Sequence, residues 1–230
     1  MMRQRKEYEP WQQKGICYNC GSSATTVDHI PSKVLLDEPY PANLEVVPCC
    51  LSCNLSFSRD EEYAAMLIEC IKHQTTNPCH FDRKKVIKIL QSSPNLINAV
   101  EKSLNRDIFG NLWISIDDVR FRNFVMKLVK AHLRNELCII PYDIEHTHIS
   151  YARLSDMNDE MRSEFFAPQK IGIIPEVGSR CLEDLLFING SVYNHWHTYQ
   201  KGSYSYFVSV DRKDVRILIQ DFLVIQVILK

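Results

Sequence analysis

The sequence has no apolar run that approaches ~18 residues, so no segment is expected to span a bilayer as a helix. It has no internal repeat and no low-complexity tract. Its N-terminus, Met1-Met2-Arg3-Gln4-Arg5-Lys6-Glu7, carries charges with no apolar stretch behind them, which is not the pattern of a secretory signal. A reducing, cytoplasmic location is the expectation. Net charge is also lacking: 27 Lys and Arg stand against 28 Asp and Glu, so the whole-chain balance selects no partner. What is present is ordinary for a folded protein. With 230 residues, 45% hydrophobic and 24% charged, the composition excludes intrinsic disorder, a collagen-like repeat and a coiled coil. The length suits one large domain or a small one joined to a medium one.

Two asymmetries lie beneath these averages. Between Asp82 and Arg134, eleven basic residues face five acidic ones. Such a local field can hold a phosphate backbone, and the solvated faces of amphipathic helices explain it equally well. The nine cysteines are uneven too: Cys17, Cys20, Cys49, Cys50 and Cys53 fall in one stretch, while Cys70, Cys79, Cys138 and Cys181 are scattered. In a chain without an export signal, clustered cysteines read as metal ligands and not as disulfides. Cys17-x-x-Cys20 and Cys50-x-x-Cys53 are two thiolate pairs, each on a two-residue knuckle, and together they complete a tetrahedral site with Zn–S bonds of ~2.3 Å. Cys49 competes with Cys50, but only Cys50 keeps the two-residue spacing to Cys53. A four-thiolate ion has no open position, so this zinc is expected to be structural, stabilising a segment too small to bury its own core.

The pattern predicts an α+β chain with a soft boundary near residues 75–78, dividing 1–76 from 77–230. In the first part, β-branched residues at 25–30 and 43–47 read as strands, each ended by a proline, and a helical period starts at Asn54. In the second part, two short helices are expected over 82–105, split at Ser92-Ser93-Pro94. A stronger helix spans roughly 117–137, and a short one is possible at 156–165. From Val192 the alternation of apolar and polar residues predicts a closing antiparallel meander whose final strand lies near 222–229.

Between the knuckles stand Asp28-His29 on the first strand, Asn43 at the head of the second, and Asn54 directly after Cys53. Singly, each has a plain structural explanation; Asn at a helix start, for instance, is an ordinary cap. Together they form a set that metal-assisted phosphodiester hydrolysis can use. A carboxylate and an amide oxygen bind a hard divalent ion, and an imidazole of pKa near ~6.5 takes a proton from water at neutral pH.

The ordered run Cys17-x-x-Cys20, Asp28-His29-Ile30-Pro31, Asn43-Leu44, Cys50-x-x-Cys53-Asn54 resembles an HNH endonuclease of the zinc-bearing ββα-metal class, over about the first third of the chain. More weakly, the remainder is similar to a bacterial group of stand-alone HNH proteins. The resemblance implies a ββα-metal module followed by a helical segment and the meander. It implies His29 as general base, Asn43 as the residue orienting it, and Asp28 and Asn54 as ligands of a catalytic Mg²⁺ or Mn²⁺. The third motif position is Asn where the family's name has His, which favours a hard ion over Ni²⁺ or Zn²⁺ there. DNA is the implied substrate, ahead of RNA, with a homodimer or partner protein supplying further grip and bacterial antiviral defence as the associated role. Lys33 and Arg59 flank the site as candidates for holding the phosphate backbone. The competing reading is a non-catalytic zinc-finger-like module that binds nucleic acid or protein.

Other features were weighed against packing. His146-x-His148 and His195-x-His197 each put two imidazoles on one strand face without a completing ligand, so they read as structural. Tyr193, Trp196, Tyr199, Tyr204 and Tyr206 read as cross-strand packing ahead of a base-stacking platform. Cys70, Cys138 and Cys181 read as small buried hydrophobes.

Overall fold

Two short strands, β1 (Thr26–Ile30) and β2 (Glu45–Cys49), pair antiparallel, with Asp28 opposite Val47 and His29 opposite Val46. The computed structural model describes residues 15–230 apart from 43, 116, 117, 142, 143, 145, 173, 176–178, 184 and 212. Helix α1 (Leu51–His73) follows β2 at once. It begins three residues ahead of the position that the apolar period suggests, because the Cys50 thiol acts as its N-cap, accepting from the Cys53 amide at 3.4 Å. Asn54 is therefore inside the first turn and not at its head. The helix ends where Gln74 turns left-handed, with φ of 56°.

The helical segment divides as expected. Helices α2 (Lys84–Ser92) and α3 (Asn95–Ser103) break at Ser93-Pro94, and α4 (Val119–Leu137) is capped by the Asp118 carboxylate, which accepts from the Phe121 amide at 3.0 Å. A hairpin of β3 (Leu104–Arg106) and β4 (Leu112–Ile114), which the sequence pattern does not announce, lies between α3 and α4.

In the C-terminal part come β5 (His146–Arg153), α5 (Asp159–Phe166), β6 (Gln169–Lys170), α6 (Arg180–Glu183), β7 (Leu186–Ile188) and β8 (Ser191–Asn194). The meander itself is β9 (His197–Gln200), β10 (Tyr204–Val208), β11 (Asp214–Ile219) and β12 (Leu223–Leu229). It gains β5 on its far edge, giving an antiparallel sheet in the order β5-β12-β11-β10-β9; a smaller sheet runs β6-β8-β7. The fold is α+β with several antiparallel sheets. Among the described residues, no helix is long and apolar enough to cross a membrane.

Helix α1 packs against α4, and one apolar cluster runs from Leu35 and Leu67 through Val86 and Phe121 to Tyr206 and Ile225. The boundary expected near residue 76 thus falls in a surface turn, while the core beneath it is continuous. The tyrosines of β10 belong to that core. Tyr204 and Tyr206 are buried, with the Tyr206 ring stacked at 3.8 Å on His132 of α4, as cross-strand and inter-layer packing requires. His197 also stacks on Tyr206, with ring centres 5.2 Å apart. His148 is exposed, and the side chain of His146 lies outside the described set. Cys70, Cys138 and Cys181 are buried as expected.

Candidate metal centre and active site

The first knuckle is a tight turn. The Cys17 amide donates to the Ser22 carbonyl at 2.7 Å, and Gly21, at φ of 73°, closes the loop by donating back to the Cys17 carbonyl. A left-handed backbone of this kind favours glycine, which has no Cβ to clash. The Tyr18 amide donates to the Pro48 carbonyl at 3.0 Å, tying this turn to the end of β2, where the second knuckle starts. The result brings Cys17, Cys20, Cys50 and Cys53 together, with all four sulfurs within 4.8 Å of one another. Cys20 Sγ and Cys50 Sγ are 3.7 Å apart. Bonds of ~2.3 Å on a tetrahedron require sulfurs about 3.8 Å apart, so the cluster has the geometry to hold a metal ion such as zinc.

Cys49 is not one of the four gathered sulfurs, although its thiol lies beside Cys17. It is fully buried in an apolar cluster with Tyr18, Ile30, Val47 and Ala131. Hydrogen bonding from the Ser22 hydroxyl and amide pulls the Cys20 thiol down to about 6, whereas burial pushes Cys53 up to about 12. Deprotonating all four thiols in this small space calls for a cation between them. Among the described residues this is the only group of three or more Cys, His, Asp or Glu ligands gathered tightly enough for one ion.

Burial alternates along β1, and the alternation sends neighbouring side chains to opposite faces. Asp28, 7% exposed, turns inward toward α4, while His29 is half-buried. Burial, and the cation of Lys33 next, hold the His29 imidazole below its usual range, against the opposing pull of Asp28. The imidazole is thus in its basic form at neutral pH. Asn54 reaches from α1 to the same strand, its amide nitrogen donating to Thr26 Oγ1 and the Val27 carbonyl, both at 3.2 Å. Asn43 lies outside the described residues.

Asp28 has a partner that sequence reasoning missed. Lys127 of α4, whose side chain is wholly buried, places Nζ 2.9 Å from Asp28 Oδ2 and 2.6 Å from Ser32 Oγ, and pairs as well with Glu61 of α1. The Tyr18 hydroxyl donates to the same Asp28 oxygen at 2.8 Å, and the Ser32 hydroxyl donates to Glu61 at 2.6 Å. Burial alone would favour a neutral Lys127 amine, but Asp28 and Glu61 reverse this and raise it above its ordinary value. The sequence signal was faint: Lys127 adjoins the apolar stripe of α4, where a long cation normally reads as the edge of a solvated face.

A hard divalent ion at the second site would have to use oxygens that these bonds leave over. They are Asp28 Oδ1 and Asn54 Oδ1, neither of which accepts a hydrogen bond from the described residues. One carboxylate and one amide oxygen fit the hard-ligand preference of Mg²⁺ or Mn²⁺. Of the two flanking cations, Lys33 places Nζ 5.7 Å from the centre of the Tyr40 ring, and its carbonyl accepts from Lys85. Arg59 is exposed on α1, with its carbonyl held by Arg120 at 2.8 Å.

Comparison of the chain with protein-family models, with curated proteins and with solved structures found no match.

Proposed function

We propose that the protein is an HNH-type endonuclease that hydrolyses phosphodiester bonds in DNA, with His29 as the general base. The observation that carries the reading is the ββα unit itself. An antiparallel hairpin bearing Asp28-His29 runs directly into a helix whose first turn fastens Asn54 back onto β1, with a four-cysteine cluster tying the ends of the hairpin together. This arrangement supports the reading that the motif resemblance suggests.

In this reading the cluster holds a structural zinc. A catalytic Mg²⁺ or Mn²⁺, held by Asp28 and Asn54, supplies Lewis-acid stabilisation of the leaving oxygen when bound. The protein's own contribution is to keep a neutral imidazole beside the substrate. His29 takes the proton from the attacking water, a step typically worth ~10²–10⁴-fold in rate. By the resemblance, Asn43 is the residue that would orient that ring. Lys33 and Arg59 hold the scissile strand by its phosphates, and the first turn of α1 turns its positive end toward the same charge. Lys127 fixes Asp28 from below, so that one carboxylate oxygen is committed to the fold and the other left for the ion. A homodimer or a partner protein would add affinity that a chain of net charge −1 lacks.

The test is plasmid nicking or cutting by purified protein with Mg²⁺ or Mn²⁺, beside His29→Ala, with an RNA substrate in parallel. Cleavage of DNA that falls by at least about 10²-fold in the variant is the expected outcome. If both proteins are inert while folded and zinc-loaded, the enzymatic reading fails, and a non-catalytic zinc module that binds nucleic acid or protein replaces it.

A further inference from the structure

The positive excess between Asp82 and Arg134 does not form one surface. Lys127 and Arg134 are buried, and Arg120 pairs with Asp60 at 2.9 Å. Four of the remaining eight, Arg83, Lys84, Lys85 and Lys88, lie together at α2. A cavity of about 460 Å³ opens there, lined by Lys72, Arg83, Lys84, Lys85 and Lys88 on its basic side. Three carboxylates share the lining, and two are already committed: Asp37 to Arg83 at 3.0 Å and Asp82 to Lys72 at 3.2 Å. The third, Glu38, accepts from the Tyr40 hydroxyl at 3.3 Å. Lys84 and Lys88 are exposed and take no carboxylate partner among the described residues. They sit one helical turn apart, so their side chains rise on one face about 5–6 Å from each other at Cβ.

One lining residue, Lys85, ties this basic cavity to the segment that follows β1. Lys85, on its rim, donates to the Lys33 carbonyl and to the Tyr40 hydroxyl, both at 2.7 Å. Lys33 and Lys85 both lie over the Tyr40 ring, at 5.7 and 4.9 Å from its centre. Lys33 in turn stands three residues past the end of β1, the strand that carries His29. A line of cations therefore leads from Lys33, just past β1, through Lys85 to Lys84 and Lys88.

We infer that the groove along α2 is the path of the nucleic-acid backbone beyond the cleaved phosphate, with Lys84 and Lys88 contacting successive phosphate groups. The inference rests on nucleic acid being the substrate of the candidate site, and it adds where the flanking strand lies. Contacts of this kind carry no base specificity and position the duplex by charge. They also release condensed counterions, which makes them measurable by salt.

The experiment is fluorescence anisotropy of a labelled short duplex with the full-length, zinc-loaded protein and no added magnesium. It runs between about 50 and 200 mM salt and compares wild type, Lys84→Ala, Lys84→Ala/Lys88→Ala, and Lys213→Ala as the control matched in charge to the single variant, on the exposed turn before β11. The double variant is expected to bind roughly tenfold more weakly, and its plot of log affinity against log salt should be shallower by about two, at ~0.9 per lost phosphate contact. Lys213→Ala should match wild type. Affinity and slope indifferent to Lys84 and Lys88, or no duplex binding by wild type, overturns the proposal. So does saturation of the groove by inorganic phosphate, seen as shifts of the Lys84 and Lys88 resonances, in a protein that ignores duplex. Plasmid cleavage is read separately. A protein that binds through Lys84 and Lys88 but cuts nothing keeps the groove and loses the nuclease; one that cuts with an unaltered salt slope keeps the nuclease and loses the groove.

Discussion

Lys127 is the residue on which the candidate site leans most. Its ammonium lies between Asp28 and Glu61, reached by an ionic contact at 2.9 Å on one side and a closer one on the other, with the Ser32 hydroxyl as a further partner. Burying a charge this completely is tolerable only because each bonding direction is used. Lys127→Met keeps most of the volume and removes the cation, leaving two carboxylates without their counter-ion. Urea unfolding should show a loss of about 3–5 kcal/mol, the range for breaking a buried pair from one side. A loss below about 1 kcal/mol would mean that the pair behaves as an exposed one and that α4 does not hold Asp28. No pattern in the sequence announces this contact, because its partners are separated by 99 and 66 positions along the chain. Asp28, His29 and Asn54, by contrast, are singled out by the sequence because they stand at fixed offsets from the cysteines. The inward turn of Asp28 was not legible, since strand alternation decides facing only once the core side is known.

At the scale of elements, the knuckles were readable because the chemistry demands a spacing. Two thiols on a two-residue turn point the same way, and two such turns complete a tetrahedron. The choice between Cys49 and Cys50 follows from the pleat. Cys49 is the last residue of β2 and faces the apolar cluster around Tyr18, whereas Cys50 has left the strand to cap α1. Cys50→Ser should therefore release metal and loosen the hairpin, while Cys49→Ser should retain about one zinc per chain in elemental analysis. The reverse outcome would put the wrong sulfur in the cluster. The same cap explains why the start of α1 was misplaced: a thiol is an unusual N-cap, and the sequence signals favour Ser, Thr, Asp or Asn. Strand β5 was read only as a strand carrying two histidines, and its place in the large sheet was missed for a different reason. Its partner is β12, with Ile149 opposite Val227, and a pairing that distant leaves no local mark.

Across the whole molecule, α4 is the common support. One of its faces meets α1 and the hairpin through Lys127 and Ala131, and the other meets the large sheet through His132. His132 is fully buried, its Nε2 2.7 Å from the Tyr204 hydroxyl, and burial first, then the charges of His197 and Lys127, press its pKa well below the ordinary value. The unfolded chain takes up this proton near pH ~6.5, and the folded protein refuses it. Protons bound are then more numerous in the unfolded state, so stability falls as pH drops below ~6.5, by up to about 1.4 kcal/mol per pH unit from this group. Urea midpoints at pH 7.5 and 5.5 should differ accordingly, and His132→Gln, whatever its own cost, should flatten that dependence. An unchanged pH slope in the variant would acquit His132 as the source.

The reach of Lys127 into the N-terminal hairpin has a practical corollary for anyone treating that hairpin as a cassette. Cut out and grafted onto a foreign host, the cysteine-clasped loop would travel with its aspartate but without the ammonium that anchors it. The transplant would keep the recognisable signature and forfeit the foundation under it.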